Sequence, residues 1–306
     1  MALAALSEDE QLLIFEQLCN TLDPGIAVAF SSASRQLRAL TQAPRQQLRT
    51  DHQAATVLSR KARKRTCKEL REAEQVELYR QCLSADELAL LGSLGSVLSA
   101  LERLHLMDPK AGTNSVPQLG EKLGAGALPA VYLLNLNTTP VGDAGASALA
   151  NALGRGALPR LVSLQLGHTG IGDAGLAALA PALWQLRALN TLHLDNNPFG
   201  DEGFAALVSS LPGEANAPRM RGLATLAALS LCYTHIADAS CAVLAKALDS
   251  VLPSLVRVHL NGIPASAAGR DKMLQVAFEH RLAVEWHEWW HDPVANNEEE
   301  SLLPVD

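Results

Sequence analysis

Two neighbouring Leu-x-Leu segments carry the residues whose types best fit catalytic or metal-binding chemistry. The first contains His193 and Asp195, and the second contains Ser230 and Cys232. If both segments are adjacent strands of one sheet, these side chains lie about 4.8 Å apart. Such groups occur in hydrolytic triads and in zinc sites. An open sheet, however, offers no oxyanion hole and no pocket that excludes water. The sequence therefore predicts no catalytic residue, no metal site and no cofactor here.

The four residues belong to two longer rows that recur along the chain. The first row is the middle residue of each Leu-x-Leu or its equivalent, namely Glu77, His105, Asn135, Gln165, His193, Ser230, His259 and Glu285. The second row lies two residues further on, at Tyr79, Met107, Asn137, Gly167, Asp195, Cys232, Asn261 and His287. Alternate residues of a strand face the same side, so both rows are expected to face the open side of the sheet.

We predict that these rows bind another protein. The predicted partner-binding residues are Glu77, Tyr79, His105, Asn135, Asn137, Gln165, His193, Asp195, Ser230, Cys232, His259 and Asn261. The alternative for any of these residues is that it is simply exposed to solvent and binds no partner.

A repeated leucine phrase positions both rows. We call the last leucine of the phrase the marker leucine. It falls at steps of 28–30 residues, with one step of 37, at Leu78, Leu106, Leu136, Leu166, Leu194, Leu231 and Leu260. Alternation around each of these leucines predicts a strand, and apolar pairs such as Leu149 and Leu153 predict a helix in the second half of each unit. Neither element can bury its apolar face alone. The pattern therefore predicts an α/β solenoid, with a parallel sheet on one side and helices on the other.

Polar and small residues recur in the turns between strand and helix. Carboxylates expected to cap the helix that they begin are Asp143, Asp173, Asp201 and Asp238. Glycines expected to let neighbouring helices pack closely are Gly145, Gly175 and Gly203. Side chains expected to bond backbone groups of the inner turn are Thr139, Thr169, Asn197 and Thr234. The unit after Leu106 lacks these features, which predicts an irregular turn, and residues 213–222 insert a polar loop before a later strand.

Repeats of this length with a Gly-Asp-x-Gly-x-x-x-Leu helix start resemble ribonuclease-inhibitor-type leucine-rich repeats, over residues 70–291. The resemblance implies a horseshoe with strands on the concave face, helices on the convex face, and a non-enzymatic role in protein–protein interaction. The repeats also resemble those of Ran GTPase-activating proteins, in which an arginine near an early strand assists GTP hydrolysis. Arg80 stands in a comparable place. A scaffold or regulator of that GTPase-activating-like kind is therefore the alternative function.

Residues 1–45 do not follow the repeat. Ser7 and Glu10 form a capping box, and three short helices are predicted. Their pattern resembles an F-box, a module often found before leucine-rich repeats. The resemblance implies a substrate-recognition subunit of a cullin-type ubiquitin ligase, whose linker subunit would dock at Leu6, Ile14, Phe15 and Leu18. The alternative is a helical cap that only shields the first repeat.

The charge is unevenly distributed along the chain. The net charge is −7, yet eleven of the 25 basic residues fall between Arg35 and Arg71. Residues 46–69 are interpreted as a basic helical connector, and Arg60–Arg65 also resembles a nuclear-import signal. A nucleic-acid patch is a third interpretation, but no aromatic residues are interleaved for base stacking. At the other end, the tryptophans of 286–290 are expected to cap the stack, and residues 292–306 to form a disordered acidic tail.

Composition is typical of an intracellular solenoid. Apolar residues make up 48% of the chain and aromatic residues only 4%. The five cysteines are odd in number and have no paired spacing, which predicts reduced thiols in the cytoplasm or the nucleus. The first ten residues lack a positively charged n-region, and no apolar run approaches membrane-spanning length, so we expect neither a signal peptide nor a membrane partner.

Overall fold

The strands form one parallel sheet in chain order. The computed structural model describes residues 6–208, 223–248 and 250–286. Its strands are β1 (Gln75–Glu77), β2 (Arg103–His105), β3 (Leu133–Asn135), β4 (Ser163–Gln165), β5 (Thr191–His193), β6 (Ala228–Ser230), β7 (Arg257–His259) and β8 (Ala283–Glu285). Each strand pairs with the next along the chain. This order is the one that stacked repeats require, because every unit contacts only its neighbours.

Helices follow the strands and cover the other side of the stack. They are α6 (Ala85–Ser93), α7 (Ser115–Lys122), α8 (Gly142–Gly154), α9 (Asp173–Leu183), α10 (Asp201–Val208), α11 (Asp238–Ala247) and α12 (Ala267–Glu279). Consecutive helices pack side by side. The predicted leucines fill the space between the layers, and every marker leucine from Leu78 to Leu260 is buried. The α/β solenoid predicted from the sequence is thereby confirmed.

The turn aspartates cap a different helix from the one predicted. Asp173 is the first residue of α9, and its Oδ1 accepts the amides of Gly200 and Gly203 at the start of α10, at 2.7 and 2.8 Å. The same bridge to the following helix is made by Asp143, Asp201 and Asp238. The expectation that each carboxylate caps its own helix was wrong. Each one instead fastens a repeat to its successor.

Close approach of the helices makes glycine necessary at two of the predicted positions. A Cβ on Gly203 would lie 2.6 Å from Asp173 Oδ1 and 2.9 Å from its Cα, and Gly175 faces Asp143 in the same way. The glycines therefore admit the carboxylate of the preceding repeat. Gly145 has no such partner, and its nearest neighbour in another helix is Val116.

The inner turns are held by polar side chains, as predicted. The hydroxyls of Thr169 and Thr234 donate to the carbonyl of the preceding marker leucine, both at 2.8 Å, and Thr139 donates to Leu106 of the preceding repeat. The unit after Leu106 has not lost this group. Asp108, one residue earlier than the usual position, is fully buried, and its Oδ2 accepts the amide of Leu83 at 2.6 Å.

The N-terminal helices form two distinct layers. They are α1 (Glu8–Leu18), α2 (Gly25–Ser32), α3 (Arg35–Leu40), α4 (Gln42–Lys61) and α5 (Cys67–Arg71). Leu58 of α4 belongs to the core of the repeats, and Lys61 forms a 2.6 Å ion pair with Glu87 of α6. The helix α4 is thus the element that covers the first repeat. It also runs through the predicted boundary between the module of residues 1–45 and the basic connector of residues 46–69.

The helices α1 and α2 and the first half of α4 share a second, small core. Phe15 is 0% exposed and packs with Ala27 and Leu48, and Leu18 and Phe30 border the cluster. Phe15 is therefore not available as a docking residue, contrary to the prediction. Its ring is needed to hold α1 against α2 and α4, because a bundle this small has few other large apolar side chains to bury.

Some predictions concern residues that lie outside the described ranges. They are the loop of residues 213–222, the row position His287, two of the capping tryptophans and the tail of residues 292–306. The third tryptophan, Trp286, is half-buried against the core of the repeats after β8. Arg60–Arg65 lies at the end of α4 and in the turn after it, and its role in nuclear import stays a prediction. Among the helices described, none is long and apolar enough to cross a bilayer.

Candidate partner-binding face

The first predicted row is a continuous line of aligned residues across the sheet. Its members occupy the same register position in successive strands, in the order Glu77, His105, Asn135, Gln165, His193, Ser230, His259 and Glu285. The leucine or valine before each member is buried, or half-buried in the case of Val284, and so fixes which side that member faces. We call the side of the sheet that carries this row the concave face.

The structure brings the four chemically suggestive residues together. Ser230 Oγ donates to Asp195 Oδ1, which also accepts the Cys232 amide at 2.9 Å. His193 Nδ1 lies 3.7 Å from Asp195 Oδ2, and Cys232 Sγ lies 3.8 Å from Ser230 Oγ. Ser230 is turned toward the aspartate rather than toward the histidine. The cluster is therefore a bracket between two repeats, and it lacks the serine–histidine contact of a nucleophile and its base.

Electrostatics agree with this structural role. Burial raises the pKa of Asp195, but the nearby His193 and hydrogen bonds from Ser230 and the Cys232 amide more than offset it, so the pKa lies below its usual value. Burial raises the pKa of the Cys232 thiol, which leaves it protonated and weakly nucleophilic at neutral pH. Among the described residues, no group of three or more His, Cys, Asp or Glu side chains is arranged to bind a metal ion.

Asp195→Asn is expected to destabilise the protein in a pH-dependent way. Because the folded-state pKa is depressed, the carboxylate stabilises the fold above its unfolded-state pKa, and this contribution is lost as the pH falls through the folded-state pKa. We expect a loss of about 1–2 kcal/mol at neutral pH that disappears in acid. Urea unfolding at several pH values measures it. Asp271→Asn, at an exposed position on α12, is the control; equal effects of both substitutions would show that the bracket contributes nothing.

A second bracket joins β3 to β4. Asn137 Oδ1 accepts the Gly167 amide at 2.7 Å, and Asn135 Oδ1 accepts the Asn137 amide at 2.9 Å. Asn137 and Asp195 both directly follow a marker leucine, and each accepts the backbone amide of the equivalent residue in the next repeat. Asn135 and Ser230 are buried among these contacts. They shape the concave face but present little surface to a partner.

The remaining members of the rows keep part of their surface open to solvent. Half-exposed polar side chains are Glu77, His105, Gln165, His193, His259 and Asn261, and Tyr79 is exposed. The ring of Tyr79 lies 5.9 Å from that of His105, in a tilted arrangement. Burial lowers the pKa of His105, so this ring is neutral at physiological pH and can both donate and accept a hydrogen bond. His259 is paired with Glu285 at 2.8 Å.

Sequence reasoning missed a third row on the same face. The first residue of each three-residue strand points to the same side as the last, which places there Gln75, Arg103, Leu133, Ser163, Thr191, Ala228, Arg257 and Ala283. The alternation of side chains along a strand, which predicted the other two rows, was enough to predict this row as well. Arg103 and Arg257 add positive charge to a face that also carries the carboxylates of Glu77, Asp195 and Glu285.

Arg80 lies at a position that recurs in the repeats. Its φ of 51° places it in the left-handed region, two residues after the marker leucine. Residues with the same conformation at the equivalent position are Thr138, His168, Asn196, Tyr233 and Gly262. Its placement therefore follows from the geometry of the turn and does not by itself indicate a role in GTP hydrolysis.

Comparison with known proteins agrees with the repeat pattern. A family model described as "Leucine Rich repeat" matches residues 158–180 and 185–208, which contain β4 and most of α9, and then β5 and α10. No curated protein matches the chain. Together with the parallel sheet and the helices, the match shows that the fold is a leucine-rich-repeat solenoid, and leucine-rich repeats suggest protein–protein interaction.

Several solved structures are similar in part. The actin-binding site 2 of leiomodin-1 is 17% identical, with a TM-score of 0.38, covering 55% of this chain and 86% of that one. The mouse RP105/MD-1 complex is 16% identical (TM-score 0.35), and an internalin of Listeria monocytogenes str. 4b F2365 is 14% identical (TM-score 0.31). The match to the RP105/MD-1 complex covers 62% of this chain and 34% of that one, and the match to the internalin covers 79% of this chain and 90% of that one.

Proposed function

We propose that this protein is a non-enzymatic adaptor whose concave face binds another protein. The observation that carries the proposal is the row of aligned, half-exposed polar side chains running through the strands of one sheet. Eight strands spaced about 4.8 Å apart give a rigid surface about 34 Å long, enough to contact a segment of a partner protein. A parallel sheet of the ribonuclease-inhibitor type would present this surface as the inside of a horseshoe.

The chemistry of the face fits a partner bound by polar contacts. Its side chains offer imidazole, amide and carboxylate groups with a tyrosine at one end. Because the strands hold their backbones rigid, little conformational entropy is lost when a partner binds. Affinity is then expected to come from several hydrogen bonds spread over neighbouring repeats.

The triple substitution of Gln165, His193 and His259 by alanine is expected to weaken partner binding by at least about tenfold, with the melting temperature unchanged. The partner is first identified by photo-cross-linking from position 165 and then titrated in purified form. The control triple replaces exposed residues of the convex helices by alanine, namely Asn151, Glu202 and Lys246. Loss of binding in the control, or full binding by the concave-face variant, would refute the assignment.

For the N-terminal helices we propose docking to the linker subunit of a cullin-type ubiquitin ligase. Two observations support a docking role beyond capping. The helix α4 already covers the first repeat, and α1 and α2 pack against its first half around a second small core. On their surface Leu13 is 57% exposed, and Leu6, Ile14 and Leu18 of the same segment are half-buried. Ser7 and Leu37 stand where the F-box pattern has proline and tryptophan, so the docking surface differs from that of the family.

Titration calorimetry of the full chain with the linker subunit tests this proposal. We expect micromolar binding by the wild type and a loss of at least about tenfold for Leu13→Asp, because a carboxylate is costly in an apolar contact. Val57→Asp is the matched control, since Val57 is 47% exposed on α4 and lies outside the proposed surface. Binding no tighter than millimolar, or an equal loss in both variants, would leave α1–α3 with a capping role only.

A further inference from the structure

A positively charged groove lies between α3 and α4. The groove encloses about 500 Å³ and is lined by Arg35, Arg38, Ala39, Gln42, Arg45, Gln46 and Arg49. We call it the arginine groove. It lies on the N-terminal helices, apart from the concave face, and neither the repeats nor the proposed docking residues account for it.

The two helices are fixed at the corner where they meet. Thr41 ends α3 and begins α4, and its side chain is fully buried. Its Oγ1 donates to the carbonyl of Leu37 at 2.6 Å and lies 2.9 Å from Ser31 Oγ. Leu37 and Leu48 are buried on either side of the corner. The four arginines are therefore carried by a rigid support, which keeps their guanidinium groups on the same concavity.

No described carboxylate neutralises these arginines. Three other basic residues between Arg35 and Arg71 do have acidic neighbours: Lys61 pairs with Glu87 at 2.6 Å, and Arg71 and Lys68 each have a carboxylate at 4.0 Å. Four like charges on two short helical segments repel one another, and the rest of the chain is acidic, with a net charge of −7 overall. An anionic ligand would relieve this repulsion, and guanidinium groups bind carboxylates through two parallel hydrogen bonds.

The lining and the spacing of the groove favour one class of anion. No aromatic side chain lines it, so nucleic-acid bases have nothing to stack on. It has no large apolar side chain that could insert into a lipid surface. Arg45 and Arg49 are one helical turn apart, a rise of about 6 Å. Alternate side chains of an extended peptide are about 6.6–6.8 Å apart, so one carboxylate could meet each guanidinium.

We propose that the arginine groove binds an extended acidic segment of a partner protein, with carboxylates at alternate positions. The interaction is separate from that of the concave face, so one protein could contact both surfaces or two proteins could bind together. Failure of this proposal leaves the function proposed for the concave face intact.

Fluorescence anisotropy with a labelled alternating Glu-Gly peptide of about a dozen residues tests the proposal, at roughly 0.05 and 0.15 M salt. The matching Gln-Gly peptide is the neutral probe. The groove variant changes four arginines to glutamine, Arg35, Arg38, Arg45 and Arg49. The control variant removes the same charge further along the chain, at Arg60, Lys64, Arg65 and Lys68. Circular dichroism and melting curves verify that both variants are folded.

We expect the wild type to bind the acidic peptide and not the neutral one. The groove variant should lose affinity by at least about tenfold, and the control variant should stay within about twofold. The double variant Arg45→Lys with Arg49→Lys keeps the charge and should still weaken binding, because lysine cannot form the bidentate contact. Absence of binding by the wild type, or an equal loss in both charge-removal variants, would overturn the proposal. Tighter binding of an oligothymidine of similar length, lost in the groove variant, would overturn it in favour of nucleic acid.

Discussion

Leu194→Ala is expected to lower the free energy of unfolding by about 2–5 kcal/mol. Leu194 is 0% exposed and lies directly after β5, near the middle of the stack, where its side chain contributes to the core that is continuous between repeats. Removal of its three terminal carbons leaves a cavity that the flanking repeats cannot close, because their own leucines are fixed by the sheet register. Urea denaturation followed by circular dichroism measures the loss.

The neighbouring residue gives the matched control. His193 is only half-buried, and its ring contacts Asp195 at 3.7 Å. His193→Ala is therefore expected to change the free energy of unfolding by no more than about 0.5 kcal/mol, while it weakens partner binding. If His193→Ala destabilised the protein as much as Leu194→Ala, the assignment of the buried and concave sides would be inverted.

Gly203→Ala is the second substitution with a large expected effect, about 1–3 kcal/mol of destabilisation. The added methyl group would lie 2.6 Å from Asp173 Oδ1 and 2.9 Å from Asp173 Cα. A side chain could turn away, but the α-carbon is part of α9, so the two helices must separate. The carboxylate would then lose its hydrogen bonds to the Gly200 and Gly203 amides. Thermal and urea unfolding report the change.

Gly154→Ala serves as the control for the helix propensity of alanine. Gly154 is the last residue of α8, and a Cβ there would meet no atom within 4 Å. We expect no loss of stability and a gain of up to about 1 kcal/mol. Asp173→Ala should destabilise on its own, and its effect should not add to that of Gly203→Ala, because both remove the same bridge. Full additivity, or a Gly203→Ala protein as stable as the wild type, would show that the helices are not in close contact there.

The sequence alone determined the layers of the fold and the residues that share a face. A repeat of 28–30 residues contains a period of two followed by a period near 3.6, and each of these periods specifies one element and its buried side. Stacking then follows, because a short strand and one helix cannot bury their apolar sides alone. For this reason the row from Glu77 to Glu285 could be predicted residue by residue, and the sheet register confirms the alignment.

Only the tertiary structure decided which partner each polar side chain has. Asp173 bonds to residues 27 and 30 positions away, and Asp195 to residues 35 and 37 positions away, so no local pattern contains these contacts. A carboxylate at a helix start looks the same in sequence whether it caps its own helix or the next one. Likewise, Phe15 became a core residue, and four arginines formed a groove, because of how the first four helices pack. Burial and the choice of hydrogen-bond partner are properties of the packed chain, since they depend on groups that only folding brings together.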